Sequence, residues 1–358
     1  MLYNLHLLRV IAALSVVYFH TTSVAGLNLA CDVGSRGVDV FFVISGFIIA
    51  YIGTSKPEQF LRRRLIRVVP FYWAATLCVF AMVALVPQYF RSTTASVSHL
   101  FYSLLFIPHM SVTGEMHPTL LLGWSLNFEM FFYVTFAVEL ALSRRRAPLY
   151  CVGWLVAFVA GIHLLHVRSD VLEFYARPIV LEFCFGIGVF YLFNWCSERR
   201  EKLARIGALK VLLVVLLLGG LVVLNLFEKW YPDTPRYLAA GIPAVFIVAS
   251  ALLLERIYGV TTRNPAVYLL GEASYIIYLV HPYIVFAVLR MAVKDRELSL
   301  PVTVSLIAGL IALVSCVSVA IHLAFEKPVM AFLRARLTPA PRKVAAVASE
   351  TSERLAAG

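Results

Sequence analysis

The sequence predicts an all-α polytopic membrane protein of about ten transmembrane helices, with both termini cytoplasmic. Three observations carry that prediction. Apolar residues recur in runs of about twenty, the length a helix needs to cross the hydrocarbon core of a bilayer. The chain is 61% hydrophobic and 14% charged, with a mean hydropathy of +0.85, a balance that a water-soluble domain of this size would not tolerate on its surface. Its basic residues sit in short clusters at the ends of the apolar runs, which marks them as orientation signals. The net charge of +11 is therefore not read as a nucleic-acid surface.

The runs fall at about 5–26, 37–53, 70–87, 123–142, 149–167, 178–195, 208–227, 237–255, 272–290 and 302–325. With alternate loops assigned to opposite sides, one set carries 20 Lys and Arg and the other 9. The richer set holds Lys56, Arg62 to Arg64 and Arg67, then Arg144 to Arg146, then Arg199, Arg200, Lys202 and Arg205, then Arg256 and Arg263, then the basic C-terminal residues, and it is expected to face the cytoplasm. The first run lacks a basic leader and carries Arg9 within it, so it is expected to persist as a span and not as a cleaved signal. The string Leu29, Ala30, Cys31 lacks the upstream features of a lipoprotein cleavage site.

Between the third and fourth runs, Gln88 to Leu122 contains the apolar piece HLFYSLLFIPHM, too short to span. A re-entrant or interfacial helix fits it. The six cysteines are scattered without metal-like spacing, so neither a disulfide framework nor a metal site is expected. Residues 1–335 form one integral domain in this reading, and 336–358, rich in Ala, Pro, Ser, Lys and Arg, form a disordered basic cytoplasmic tail.

Ionisable residues inside the runs are the candidates for chemistry. Eleven residues of α-helix turn through about 1100°, which places Arg9 and His20 within roughly 20° of one face and about 16 Å apart along the axis. Facing lipid they would be costly, so a buried or wet functional face is the first reading; the plainer one has Arg9 snorkelling to headgroups and His20 capping a helix end. Arg63, Arg64 and Arg67 lie on about one helical turn. They can present forked donors to a polyphosphate, or serve only as positive-inside charge against anionic headgroups.

The pattern Arg9, ten residues, His20, then GVDVFFVISGFII (Gly37 to Ile49), then FLRRRLIRVVPFYW (Phe60 to Trp73), resembles the acyltransferase 3 family of bacterial membrane O-acyltransferases, and within it the exopolysaccharide-modifying type. WSLNFEMFFY (Trp124 to Tyr133), SYIIYLVHPYI (Ser274 to Ile284) and FEKP (Phe325 to Pro328) extend the resemblance over roughly residues 1–335. It implies acyl-CoA, with acetyl-CoA as the simplest case, as cytoplasmic donor and a glycan hydroxyl outside the inner membrane as acceptor. It also implies His20 as catalytic base, Arg9 as its partner, and Arg63, Arg64 and Arg67 as holders of the CoA phosphates.

Beside that carry-over, Asp39 stands at the outer start of the second run, where a carboxylate can fix the tautomer of His20 or simply cap a helix. Ser45 and Gly46 read as a point of close helix approach or passage for a slender chain. Glu129 lies too deep for lipid, so it must pair or line the cavity; it is expected to line it as a catalytic-site residue that binds Arg9 or a sugar hydroxyl, with Trp124 on the same span as a substrate contact. Tyr275, Tyr278 and His281 share one face before Pro282; Tyr278 and His281 are candidate acceptor contacts, although aromatic packing with one hydrogen-bonded histidine explains the same pattern. His163, His166, Glu139 and Glu182 receive no chemical role. The competing classes are a transporter or flippase of a lipid-linked sugar and a non-catalytic scaffold of polysaccharide assembly machinery.

Overall fold

The structure, a computed structural model, describes residues 2–24, 34–90, 93–111, 114–230, 233–292 and 299–337. Ten helices in it are long and apolar enough to cross a membrane. In chain order the spans are Tyr3–Val24, Gly37–Ser55, Phe60–Leu85, Gly123–Leu142, Ala147–Leu164, Leu181–Glu198, Gly207–Trp230, Gly241–Tyr258, Pro265–Ala292 and Leu300–Ile321, the tenth continuing through a π-helical turn, His322–Glu326, into Lys327–Leu337. Among the described residues there is no strand, and a single isolated bridge joins Met110 to Met116. Ten crossings return the chain to the end of the bundle from which the first span starts.

Three boundaries differ from the hydropathy reading. The third span begins at Phe60, ten residues before Pro70, so the arginine run belongs to the helix itself. The ninth begins at Pro265, and the tenth reaches Leu337, where its last carbonyl accepts a bond from Arg62 Nη1 at 2.5 Å. Hydropathy marks where a helix is dry, whereas the backbone stays helical as long as its polar turns find partners. The sites at Cys31 and at 338–358 lie outside the described residues.

Burial separates the centre of the bundle from its rim. About 67% of the second span and 72% of the eighth are buried, against 17% for the seventh and tenth. The second span packs against the first, fourth, sixth and eighth, and the first is clasped by the ninth. The second and sixth approach backbone to backbone: a Cβ on Gly46 would lie 2.1 Å from the Phe183 carbonyl oxygen, and one on Gly186 would lie 2.2 Å from that of Val43. Only hydrogen fits at either position, which is the close small-residue approach that membrane helices favour.

Charged contacts fasten the ends of these helices. The backbone N–H groups of Tyr3 and Asn4 donate to the two carboxylate oxygens of Glu255 at 2.8 and 2.7 Å, so the eighth span supplies the anion that caps the first. At the opposite end of the bundle, fully buried Asp39 accepts two bonds from Arg236, from Nε at 2.9 Å and Nη2 at 2.8 Å. The Glu182 carboxyl, also fully buried, faces this pair without a hydrogen-bond donor.

The segment between the third and fourth spans turns back into the bundle. Its helix, Val97–Leu104, packs on the third span, where the Tyr72 hydroxyl donates to the Ser103 carbonyl at 3.0 Å and Trp73 Nε1 to that of Leu104 at 2.8 Å. Tyr72 precedes the end of its helix by thirteen residues, so the hairpin returns about 20 Å along the axis. Tyr175 closes the tip by donating to the Phe106 carbonyl at 2.6 Å. A re-entrant backbone at this depth needs such donors because lipid offers none.

Two measurements test this frame. Gly186→Ala is expected to lower the unfolding temperature of the detergent-solubilised protein, by an overpacking cost of about 2 kcal/mol, while Gly188→Ala, which meets open space, leaves it unchanged or raised. Arg236→Ala strands a buried carboxylate and should cost about 3–5 kcal/mol; Glu182→Gln, which removes the second carboxylate from the same guanidinium, should not destabilise. Equal losses in those two variants would show that the cluster acts by shape and not by charge.

Candidate active site

Five spans meet around a narrow cavity of about 100 Å³ in the bundle interior. The first contributes Arg9, the second Ser45, the third Arg64 and Arg67, the fourth Glu129 and Tyr133, and the ninth Tyr275 and Tyr278. Three guanidinium groups and one carboxylate are the ionisable charges of its lining, so the space is net cationic. Arg64 Nε and Arg67 Nη2 are buried donors with no hydrogen-bond partner. Unused charged donors in an enclosed space fit an anion.

The carboxylate is positioned by its neighbours. Glu129 accepts from the Tyr133 hydroxyl one helical turn on, and from Ser45 Oγ at 3.2 Å across the helix interface. Arg9 stands in the field of Glu272, Glu129 and Glu326 and close to Arg67. Arg64 also lies over the Phe60 and Tyr133 rings at 5.8 and 6.0 Å. Glu326, the acid of the FEKP string, sits in the π-helical turn with Oε2 2.6 Å from His322 Nδ1. Tyr133 is thus a cavity residue that sequence reasoning passed over, and Glu326 an acid near Arg9 that it left without a role. The four-residue spacing from Glu129 to Tyr133, inside a motif already singled out, was the available signal.

The structure divides the predicted phosphate-binding arginines. Arg64 and Arg67, three apart on one face, reach the cavity. Arg63 turns the other way and donates to the carbonyls of Lys56 and Glu58, closing the loop between the second and third spans. In this structure its fork is occupied by backbone, away from the cavity.

Asp39 is likewise engaged away from the cavity. Its two oxygens are committed to Arg236, which lies 5.7 Å from the Trp124 ring, and no contact joins the carboxylate to His20. Trp124 packs edge-on against Phe42 and Phe128, at the same end of the bundle as this ion pair. Arg236 and Glu182 carried no distinguishing signal, since a charge at the start of an apolar run reads as an interfacial anchor.

His20 does not line the cavity. Its ring neighbours are Phe19, at 5.2 Å between centroids, and His281, at 5.1 Å. Tyr278 belongs to both neighbourhoods: it lines the cavity, and its ring stands 6.1 Å from that of His281. The Tyr278 hydroxyl shares a 2.7 Å hydrogen bond with Ser125 Oγ and lies 3.1 Å from the Leu122 carbonyl. The histidine pair therefore adjoins the arginine-lined cavity, with Tyr278 between them. Tyr275 is anchored separately, donating to the Val68 carbonyl at 2.8 Å. Among the described residues no group of three His, Cys, Asp or Glu is placed to hold a metal ion.

Comparison with known proteins bears on this arrangement. The family model described as an acyltransferase domain matches residues 2–322. The exopolysaccharide production protein ExoZ of Rhizobium meliloti is 33% identical over 327 residues, covering 89% of this chain and 96% of that protein. A Komagataeibacter xylinus protein, BcsY, provisionally named a membrane-bound transacylase, is 27% identical across 89% of this chain and 81% of its own length. A Staphylococcus aureus protein provisionally named an O-acetyltransferase is 25% identical across 76% of this chain and 49% of its own length. No solved structure shows significant similarity to the chain. With the matched region running from the first span into the tenth and enclosing both the cavity and the histidine pair, the chain belongs to the acyltransferase 3 family of membrane O-acyltransferases.

Proposed function

We propose that this protein moves an acyl group, acetyl in the simplest case, from cytoplasmic acyl-CoA to a hydroxyl of an exopolysaccharide or of a lipid-linked glycan precursor. The observation that carries the reading is the cationic cavity, whose Arg64 and Arg67 have buried donors without partners. Those donors suit the phosphates or the carbonyl oxygen of an acyl thioester. The charge bias of the loops supports a cytoplasmic arginine end, where acyl-CoA is made, and a Trp124 end on the outer face of a bacterial inner membrane. The similarity to an exopolysaccharide production protein supports a glycan as acceptor. It also fits work alongside polysaccharide assembly machinery.

In this reading Arg64 and Arg67 hold the CoA phosphates and the slender pantetheine arm lies along the cavity past Ser45 and Glu129. The thioester reaches His20 when the Tyr278 ring gives way. His20 takes the proton of the acceptor hydroxyl as its oxygen bonds to the thioester carbon, and the carbon–sulfur bond breaks; Arg9, in the cavity beside Arg67, adds to the positive charge that holds the donor. The imidazolium then returns its proton to the departing thiolate. Trp124 and the Arg236 head above it border the side from which the sugar enters.

A transporter of a lipid-linked sugar would use the same buried charges as an ion path, and its activity would not depend on the thioester. The two are separated by reconstituting the purified protein in vesicles with radiolabelled acetyl-CoA and an extracted glycan fraction. Label should enter the glycan with wild type, and His20→Ala should lower kcat by about 100-fold or more. Arg64→Ala and Arg67→Ala should each raise KM for acetyl-CoA at least about tenfold, the loss of one charged hydrogen bond, whereas Arg63→Ala should leave KM within twofold. Glycan movement across the vesicle without incorporation of label would replace this reading with transport.

A further inference from the structure

His281 is fully buried on the ninth span, and its two ring nitrogens have different surroundings. Nδ1 lies 3.0 Å from the Ile277 carbonyl oxygen, one turn back on the same helix. A carbonyl only accepts, so Nδ1 carries the proton and donates. Nε2 has no hydrogen-bond partner. A second proton there would make a buried cation, and the groups acting on this ring are His20 and backbone carbonyls, with no carboxylate among them. Nε2 is therefore a bare lone pair, an acceptor inside the protein that lacks a donor.

The neighbour able to supply one is His20. Its ring centroid is 5.1 Å from that of His281. Two imidazoles joined edge to edge through an N–H···N bond of about 2.9 Å have centroids about 5 Å apart, so the observed separation is the one such a bond requires. The geometry points to His281 as the positioning residue of the catalytic histidine: its Nε2 holds the proton of His20 on the nitrogen that faces it, which leaves the other nitrogen of His20 unprotonated and able to act as base. A bond to one nitrogen selects the tautomer of an imidazole and thereby decides which nitrogen can accept a proton. This is the part the sequence reading gave to Asp39, whose oxygens Arg236 has taken.

The inference rests on the reading of His20 as base and adds no step to it. The acceptor hydroxyl still gives its proton to the free nitrogen of His20, and that proton still leaves on the thiolate. His281 keeps its own proton on Nδ1 throughout. What His281 contributes is the fraction of His20 present in the reactive tautomer and the orientation of its ring. The same bond ties the first span to the ninth at the level of the chemistry, where the two helices already pack along their length.

Two variants and one spectrum test it. His281→Phe keeps the ring volume and removes the acceptor; kcat should fall about 100-fold with KM for acetyl-CoA within twofold. His281→Gln places an amide oxygen near the Nε2 position and should recover roughly tenfold of that loss. Magic-angle-spinning ¹⁵N NMR of the protein in liposomes, with the His20 signals identified by their absence in His20→Ala, should show one neutral tautomer in wild type and a mixture in His281→Phe. Wild-type kcat in His281→Phe beside an inactive His20→Ala would overturn the positioning role alone; an active His20→Ala would instead remove the base reading on which it rests. If neither His281 variant folds, the wild-type spectrum still decides, because a tautomer mixture at His20 contradicts the bond.

Discussion

Hydrocarbon provides no hydrogen-bond partners, and most of the polar detail in this fold answers to that single constraint. A carbonyl or a guanidinium at mid-depth must be met by protein or by something the protein admits. The re-entrant hairpin meets it through Tyr72, Trp73 and Tyr175, each donating to a carbonyl near its tip. Asp39 meets it through a two-pronged bond to Arg236. The first span meets it by borrowing the Glu255 carboxylate for its opening N–H groups. Of the buried groups left without a partner, Arg64, Arg67 and His281 lie about one cavity and the histidine pair beside it, while others, Glu182 among them, lie elsewhere.

Much of this was legible from residues alone. Run length and composition determined the ten spans, since a helix must be about twenty residues long to cross and few soluble arrangements mimic that. Helix geometry puts Arg9 and His20 on one face, yet of the two only Arg9 lines the cavity. The turned-back segment at Val97–Leu104 could be read from an apolar piece too short to cross. The FYW string after the arginine run then found its reason in the hairpin, because two of those three side chains hold its carbonyls. Ser45 and Gly46 read as a point of close approach, and the contact of Gly46 with the sixth span is of that kind.

What could not be read was pairing across the bundle. Asp39 and His20 stand at similar heights on neighbouring helices, which made them plausible partners, yet height says nothing about azimuth, and the carboxylate looks toward the eighth span. Arg63 and Arg64 are adjacent in sequence and so point about 100° apart; one reaches the cavity and the other a loop. His281 shares a helical face with Tyr275 and Tyr278, so its position at the ring of His20 depended on how the first and ninth spans lie against each other, a relation that no local pattern encodes. The helix starts at Phe60 and Pro265 were missed for a related reason, since hydropathy reports dryness and not backbone conformation.

The contact between Gly46 and Gly186 limits how the molecule can change shape. With no side chain between them, the second and sixth spans cannot slide or roll past one another without collision, so they behave as a single stiff plank. The opposite wall is built differently. Proline at 282 deprives the ninth span of one backbone hydrogen bond directly after His281, within a turn of Tyr278. A joint of that kind bends at small cost, so of the walls that line the cavity the ninth helix is the one able to lean, against a partner that stays still.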